Sequence, residues 1–280
     1  MTRAELQDLW GEALRSEEQA PEKYEQLATA IMKVYESGDR RFREHIKNRF
    51  GRVSKHTGQF FDPDNFDIPM ARAFIADETG FAGWGELIFY IEGPTERSVP
   101  ILFHYAIAAL WRGDFTSLEI AVGGPERFDD QIKDWFGKGY FKKEQETMNE
   151  AFAAACMLGH APSVAYLLDN GVDPYAGMRT GLAGFHYAAS SGHLDVVRLL
   201  VERKVPMEVK NMYGGTVLGQ AIWSAVYEHT PQHAEIIEML IEGGAVVEPG
   251  TQKWWLEQEV PSRETKQYVA DVLTRFAKGN

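Results

Sequence analysis

Apolar positions recur along this chain at helical spacing, and over its second half the pattern repeats itself. Phe152, Ala155, Gly159, His160, Val164 and Leu167 return 33 residues later as Phe185, Ala188, Gly192, His193, Val197 and Leu200. The offset persists from Phe185 to Leu218 and from Ala188 to Ala221. It then lengthens to 40, taking Val197 to Ile237, Leu200 to Leu240 and Lys204 to Gly244, with the surplus in the turn-like stretch 226–232. Within one period, a short helix holding Ala188 and Ala189 ends at Gly192, a residue that tolerates a left-handed stop. His193 opens a turn, and Leu194, Val196, Val197, Leu199, Leu200 and Val201 mark the apolar stripe of a second helix. Two short antiparallel helices cannot bury both faces alone, so identical pairs must stack. The pattern predicts an all-α helical solenoid.

A fainter unit precedes these, with Ala109, Gly113 and Leu118 matching Ala155, Gly159 and Val164 at an offset of 46. The extra length lies in 123–147, where 128–136 reads as an added helix before a Gly137-Lys138-Gly139 turn. The N-terminal third is helical as well. Thr2-x-x-Glu5 is a capping box. Pro21 opens a second helix with Leu27, Ile31, Val34 and Tyr35 on its apolar face, and Phe42 and Ile46 mark a third. After the last repeat come Trp254-Trp255-Leu256. A charged helix from Ser262 then carries Tyr268, Val269, Val272, Leu273 and Phe276 on one face, which suits an end cap. The expected organisation is an N-terminal helical module over 1–93, repeats over 94–249 (units near 99–147, 148–180, 181–213 and 214–249) and a C-terminal helical cap over 250–280.

The stretch Gly181-Leu182-Ala183-Gly184-Phe185-His186-Tyr187-Ala188-Ala189-Ser190-Ser191-Gly192-His193-Leu194-Asp195-Val196-Val197-Arg198-Leu199-Leu200 resembles the ankyrin repeat. Ala183-Gly184 replaces that family's Thr-Pro pair, so a side-chain cap is missing there. In the next unit Gly215-Thr216-Val217-Leu218-Gly219 restores Thr but sets Gly219 where His is usual. Residues 75–87 resemble a second pattern, the N-terminal Gly-Phe-x-Ser-Trp helical module of bacterial ankyrin-repeat proteins. Gly80 would end a helix there, with Phe81 and Trp84 wedged into the angle. The resemblance implies an ankyrin-repeat solenoid with an N-terminal helical extension and a C-terminal capping helix.

Composition narrows the function. Of the 280 residues, 41 are acidic and 29 basic, a formal charge of -12. This argues against binding nucleic acid or an anionic membrane, and favours a basic partner. A lone cysteine, Cys156, allows no internal disulfide and no cysteine-based zinc site. The first residues run directly into charge, and the longest apolar run, 99–111, falls short of a membrane span. A cytoplasmic monomer without cofactor is expected.

Eight histidines invite a catalytic or metal reading. His160 and His193 occupy the ankyrin Gly-His turn, and His186 the position whose ring bonds loop backbone, so these three read as structural. His229 and His233 with Glu235 could share a metal, although Thr230-Pro231 would break a helix between them. Asp62, Asp64 and Asp67 lack the glutamate of a calcium loop. Cys156 in an Ala-rich helix reads as a small buried residue. The run 135–143 interleaves aromatics with lysines, a pattern that could stack on single-stranded nucleic acid or pack on the solenoid.

Ankyrin arrays bind through hairpin tips and the concave face of their first helices, so the resemblance implies where a protein partner would sit. The inward positions are Trp111-Arg112, Met157-Leu158, Ser190-Ser191 and Trp223-Ser224, and Tyr187 and Tyr227 join them as candidate partner-binding residues. The tips supply Met178, Arg179, Met212 and Tyr213. Such Trp-, Tyr-, Met- and Arg-rich sets are interface-like. A non-enzymatic protein-binding module is the leading expectation. An inhibitor or immunity-type protein for a basic partner, and an enzyme or metal-binding protein using His and acids in the inserted loops, are the alternatives.

Overall fold

A computed structural model describes residues 1–57, 65–93, 99–143, 145–175, 181–228 and 230–277. Among them are sixteen α-helices, one short 3-10 turn and no strand. The chain divides into two compact units, Met1–Arg127 and Phe128–Asn280.

The first unit holds α1 (Arg3–Arg15), α2 (Pro21–Glu36), α3 (Arg40–Thr57), α4 (Ile68–Glu78), α5 (Trp84–Glu92), α6 (Ile101–Arg112) and α7 (Phe115–Val122). Local sequence sets the ends of these helices. Thr2 Oγ1 accepts the Glu5 N–H at 3.2 Å and Glu5 Oε2 accepts the Thr2 N–H at 2.7 Å, completing the capping box at α1. Asp67 caps α4 by accepting the Met70 N–H at 2.9 Å, which gives that acid a structural role. Asp62 and Asp64 lie outside the described residues. At the end of α4, Gly80 adopts φ +83°, and a Cβ there would lie 3.2 Å from the His104 carbonyl oxygen. Phe81 is buried against Tyr90 and His104, whereas Trp84 is half-exposed beneath the Arg72 guanidinium.

Apolar side chains of α1, α2, α4 and α6, among them Leu14, Leu27, Ile31, Ile75 and Phe103, fill the core of this unit. Set into it is a charged cluster. Glu78 accepts from Arg49 Nε on one carboxylate oxygen and from Arg112 Nη2, at 3.0 Å, on the other. Asp77 meets Arg49 Nη2 at 3.0 Å. Helices α3, α4 and α6 are thereby joined by ions rather than by apolar contact alone. The pair α6–α7, which carries the faint repeat signature, packs with α1 inside this unit.

The second unit begins within the first turn of α8 (Pro125–Gly137) and continues through the 3-10 turn Tyr140–Lys143. It then holds α9 (Gln145–Leu158), α10 (Ala161–Asp169), α11 (Gly184–Ser190), α12 (Leu194–Glu202), α13 (Val217–Tyr227), α14 (His233–Glu242), α15 (Thr251–Glu257) and α16 (Arg263–Ala277). Helices α9, α11 and α13 pack side by side as one layer, and α10, α12 and α14 form the layer behind. Each layer buries the recurring positions: Phe152 and Phe185 in the first, Val164, Val197, Ile237, Leu167, Leu200 and Leu240 in the second.

Both ends of the stack are covered. Phe128, Ile132 and Trp135 of α8 are buried, Phe128 stacks on His160 with centroids 4.1 Å apart, and Asp129 accepts the Ser163 N–H at 3.0 Å. The aromatics of 135–143 are thus largely packing elements; Lys138 pairs with Asp134 at 2.7 Å. At the other end Trp255 is buried and donates its indole N–H to the Lys266 carbonyl at 3.0 Å. Val269, Val272 and Leu273 of α16 are buried, and α16 packs on α14. Tyr268 sits at the rim, its hydroxyl donating to Glu238, so it belongs to the cap's polar edge more than to its apolar face.

Candidate binding surface on the repeat stack

The repeats are held in register by histidines reaching from one pair to the one before. His193 Nε2 lies 2.7 Å from the Met157 carbonyl oxygen, and His233 Nε2 lies 2.9 Å from that of Ser190. His233 Nδ1 accepts the Thr230 N–H at 3.0 Å, which places the ring proton on Nε2 and makes the imidazole a neutral bridge. The donor nitrogen of His233 is thereby committed to the backbone, as a bridge between repeats. His229 lies outside the described residues, and among the described residues no three His, Cys, Asp or Glu are grouped to hold a metal. The signal was present, since 193 plus the lengthened offset of 40 is 233, but Thr230-Pro231 masks it.

His186 Nε2 lies 3.2 Å from the Gly215 carbonyl oxygen, the loop contact expected of that position. Burial holds the His186 imidazole below its ordinary pKa, against the opposing pull of the Gly215 and Val209 backbone. The absence of the pattern's Pro has a steric reason. Ala183 makes no side-chain cap, and a Cβ at Gly184 would lie 2.8 Å from Phe152 Cε1 and 3.0 Å from Cys156 Sγ. Burial pushes the Cys156 thiol pKa up, which leaves it a packing group.

The third pair departs from the others. Helix α11 spans Gly184–Ser190, and its equivalent would stop at Trp223, yet α13 continues for another turn to Tyr227. Part of the seven-residue surplus is therefore helix, not turn. That turn buries Ser224 and Ala225 and sets Tyr227 beside Trp223, ring centroids 4.8 Å apart. Both are exposed, Trp223 at 45% and Tyr227 at 58%. The hairpin tip before α13 is closed by Asn211, whose Oδ1 accepts the N–H groups of Tyr213 and Gly215 at 3.0 and 2.9 Å. Met212 (63% exposed) and Tyr213 (81%) project from it, while the Met212 N–H donates to the Gly181 carbonyl at 2.8 Å. Between tip and helix lies a groove of about 440 Å³ with Gly214, Gly215 and Gly219 along it, Trp223 and Trp254 at its sides, and Glu248 as its one charged residue. Gly219, standing where the repeat pattern has His, helps keep the groove open. Trp254 and Glu248 were not foreseen, because they follow the last helix pair.

The other anticipated residues divide. Met157 and Leu158 at the end of α9, and Tyr187 and Ser190 on α11, are half-buried. Met157, Ser190 and Trp223 occupy equivalent positions on neighbouring helices of the front layer. Trp111 and Arg112 belong to the first unit, where Arg112 is 14% exposed and bound to Glu78. Met178 and Arg179 lie outside the described residues.

Stacked pairs of short antiparallel helices, bridged by histidine to the preceding carbonyl, define a helical-repeat solenoid. Residues 151–250 match the family model Ankyrin repeats (3 copies), repeats that generally mediate protein–protein interaction. Among solved structures, that of EF0377, an ankyrin repeat protein, is similar to this chain at 16% identity and a TM-score of 0.39, covering 75% of this chain and 99% of that one. No curated protein matches the sequence. Among the described residues no helix is long and apolar enough to cross a membrane.

Proposed function

We propose that the repeats bind a basic partner protein, and that the third pair carries most of the binding energy. The observation that carries this reading is the exposed set Met212, Tyr213, Trp223 and Tyr227 on the third pair, of which Trp223 also lines the 440 Å³ groove. Large rigid aromatics exposed in a cluster are costly in water and are the residues on which interface energy concentrates, about 2 kcal/mol or more for each anchor. Met157, Leu158, Tyr187 and Ser190 extend the face along the front layer. Charge supports a basic partner: residues 147–249 carry 11 acidic and 5 basic side chains.

Trp223→Ala with Tyr213→Ala leaves the helical spectrum and melting temperature unchanged, because both side chains are exposed, and abolishes capture of a partner from native lysate. Unchanged capture refutes the site. Raising salt weakens the complex, and a salt-insensitive one excludes a basic partner.

A further inference from the structure

The first unit contains a cavity of about 390 Å³ that the repeat function does not use. Its buried lining is apolar and aromatic: Leu6, Phe42, Phe74 and Tyr105. Trp10 also lines it, set against Phe74 and Tyr105 at 6.0 and 6.2 Å between ring centroids. The Trp10 indole N–H is buried and has no hydrogen-bond partner among the described residues, although a buried indole donor ordinarily finds one. The exposed lining residues that form the rim include Arg3, Arg41 and His45. Among the described residues Arg3 and Arg41 make no ion pair and no side-chain hydrogen bond, and His45 makes only a ring contact with Phe74. The one acid lining the cavity, Glu78, has both carboxylate oxygens taken by Arg49 and Arg112. A chain with 41 acidic and 29 basic residues therefore gathers three uncommitted cationic or protonatable groups around one aromatic hollow.

We propose that this cavity binds a small amphipathic carboxylate, an arylalkanoic acid in the simplest case. The apolar body lies against the aromatic floor, the carboxylate meets Arg3 and Arg41 at the rim, and a ligand acceptor takes the Trp10 N–H. The volume is at the low end of small-molecule pockets and suits one ring with a short tail. A water molecule could satisfy the indole but would leave the cations unmatched. A sugar or nucleotide would strand its hydroxyls on the apolar floor, and a cation would be repelled at the rim.

The test uses the full chain and a charge series on one skeleton: 4-phenylbutyrate, 4-phenylbutyramide and 4-phenylbutylamine. The readout is the Trp10 indole N–H resonance in the ¹H–¹⁵N spectrum, assigned by its disappearance in Trp10→Phe. The acid shifts that resonance saturably with Kd about 1 mM or tighter. The amide binds about fivefold more weakly, the difference two rim ion pairs make, and the amine does not bind. Arg3→Ala with Arg41→Ala, both exposed, keeps the helical spectrum and lowers affinity for the acid to that for the amide. Three outcomes overturn the proposal: no saturable shift with the acid, equal affinities across the series, or wild-type affinity for the acid in the double variant. All are independent of partner capture by the repeats.

Discussion

Replacing Glu78 by Gln keeps the shape of the buried charge cluster and removes its central charge. Glu78 is almost fully buried, and so is Arg49; Arg112 is little more exposed. At an effective dielectric of about 20, each of its two ion pairs is worth about 4 kcal/mol of direct attraction, which the cost of taking the ions out of water largely offsets. What the variant suffers is the residue of that balance, a buried positive charge left without its counter-ion, about 3–5 kcal/mol when one partner of a buried pair is removed. The lower end applies here. Arg49 keeps Asp77 at 3.0 Å, and Arg112 keeps the carbonyl oxygens of Asp77 and Glu78, each 3.4 Å from Nη1. A loss of about 3 kcal/mol corresponds to about a hundredfold faster exchange of amides that open with the first unit. Hydrogen exchange read by mass spectrometry should find it in peptides from α3, α4 and α6, with α11 and α12 of the repeats unchanged. Adding Arg112→Met should recover part of the loss, because it removes the stranded charge. The reasoning fails if exchange in α3, α4 and α6 changes by less than about fivefold, or if Glu78→Gln and Arg112→Met prove additive.

Two further predictions concern buried titratable groups. Burial holds His104 and His186 below their ordinary pKa of 6.5, so the unfolded chain binds these protons first. Their contribution to stability is present above 6.5 and declines as the pH falls through that value; the urea midpoint should drop between pH 7.5 and 5.5, less steeply in His186→Gln. A midpoint that rises over this window contradicts the sign. The fully buried Cys156 thiol, its pKa raised by burial, should resist a disulfide-exchange reagent at pH 8 in the native protein and react with one equivalent in urea. Stoichiometric labelling of the folded chain would show that α9 opens far more readily than its packing implies.

The repeat was legible because its determinants are local. A helix stop at Gly192, a turn at His193 and a stripe ending at Leu200 lie within nine residues of one another, and the stacking contact is the same motif one period on. What stayed hidden depends on pairs far apart in the chain. Arg112 sits at an inward repeat position and reads as surface. The acid that engages it, Glu78, is 34 residues earlier on another helix, and no periodicity links the two. The bridging role of His233 is hidden for a related reason. An insertion shifts its register, and Pro231 beside it suggests a broken element, although the helix starts two residues later at His233 itself. The cavity of the first unit was not visible at all, since Arg3, Trp10, Arg41 and Tyr105 come from three helices whose packing no sequence pattern in 1–93 specifies.

The placement of the insertion bears directly on where a partner binds. Seven extra residues in a repeat could have broken the stack, yet His233 still bridges to Ser190, and the Thr230 side chain covers Gly192. The scaffold is therefore complete without the exposed face of the added turn. Ser224 and Ala225 anchor that turn, while Tyr227 takes no part in burial and only widens the aromatic surface begun by Trp223. Gly219 acts in the same direction, because a histidine there would project side-chain volume beside the groove that the glycine leaves open. Both departures from the repeat pattern enlarge exposed surface on one helix pair. The second pair, which keeps the His as His186 and has the shorter helix Gly184–Ser190, shows no comparable aromatic cluster among the described residues. Exposed aromatic area gathered on one helix pair is best explained by something that covers it, and this is the argument for seeking the partner at the third pair first.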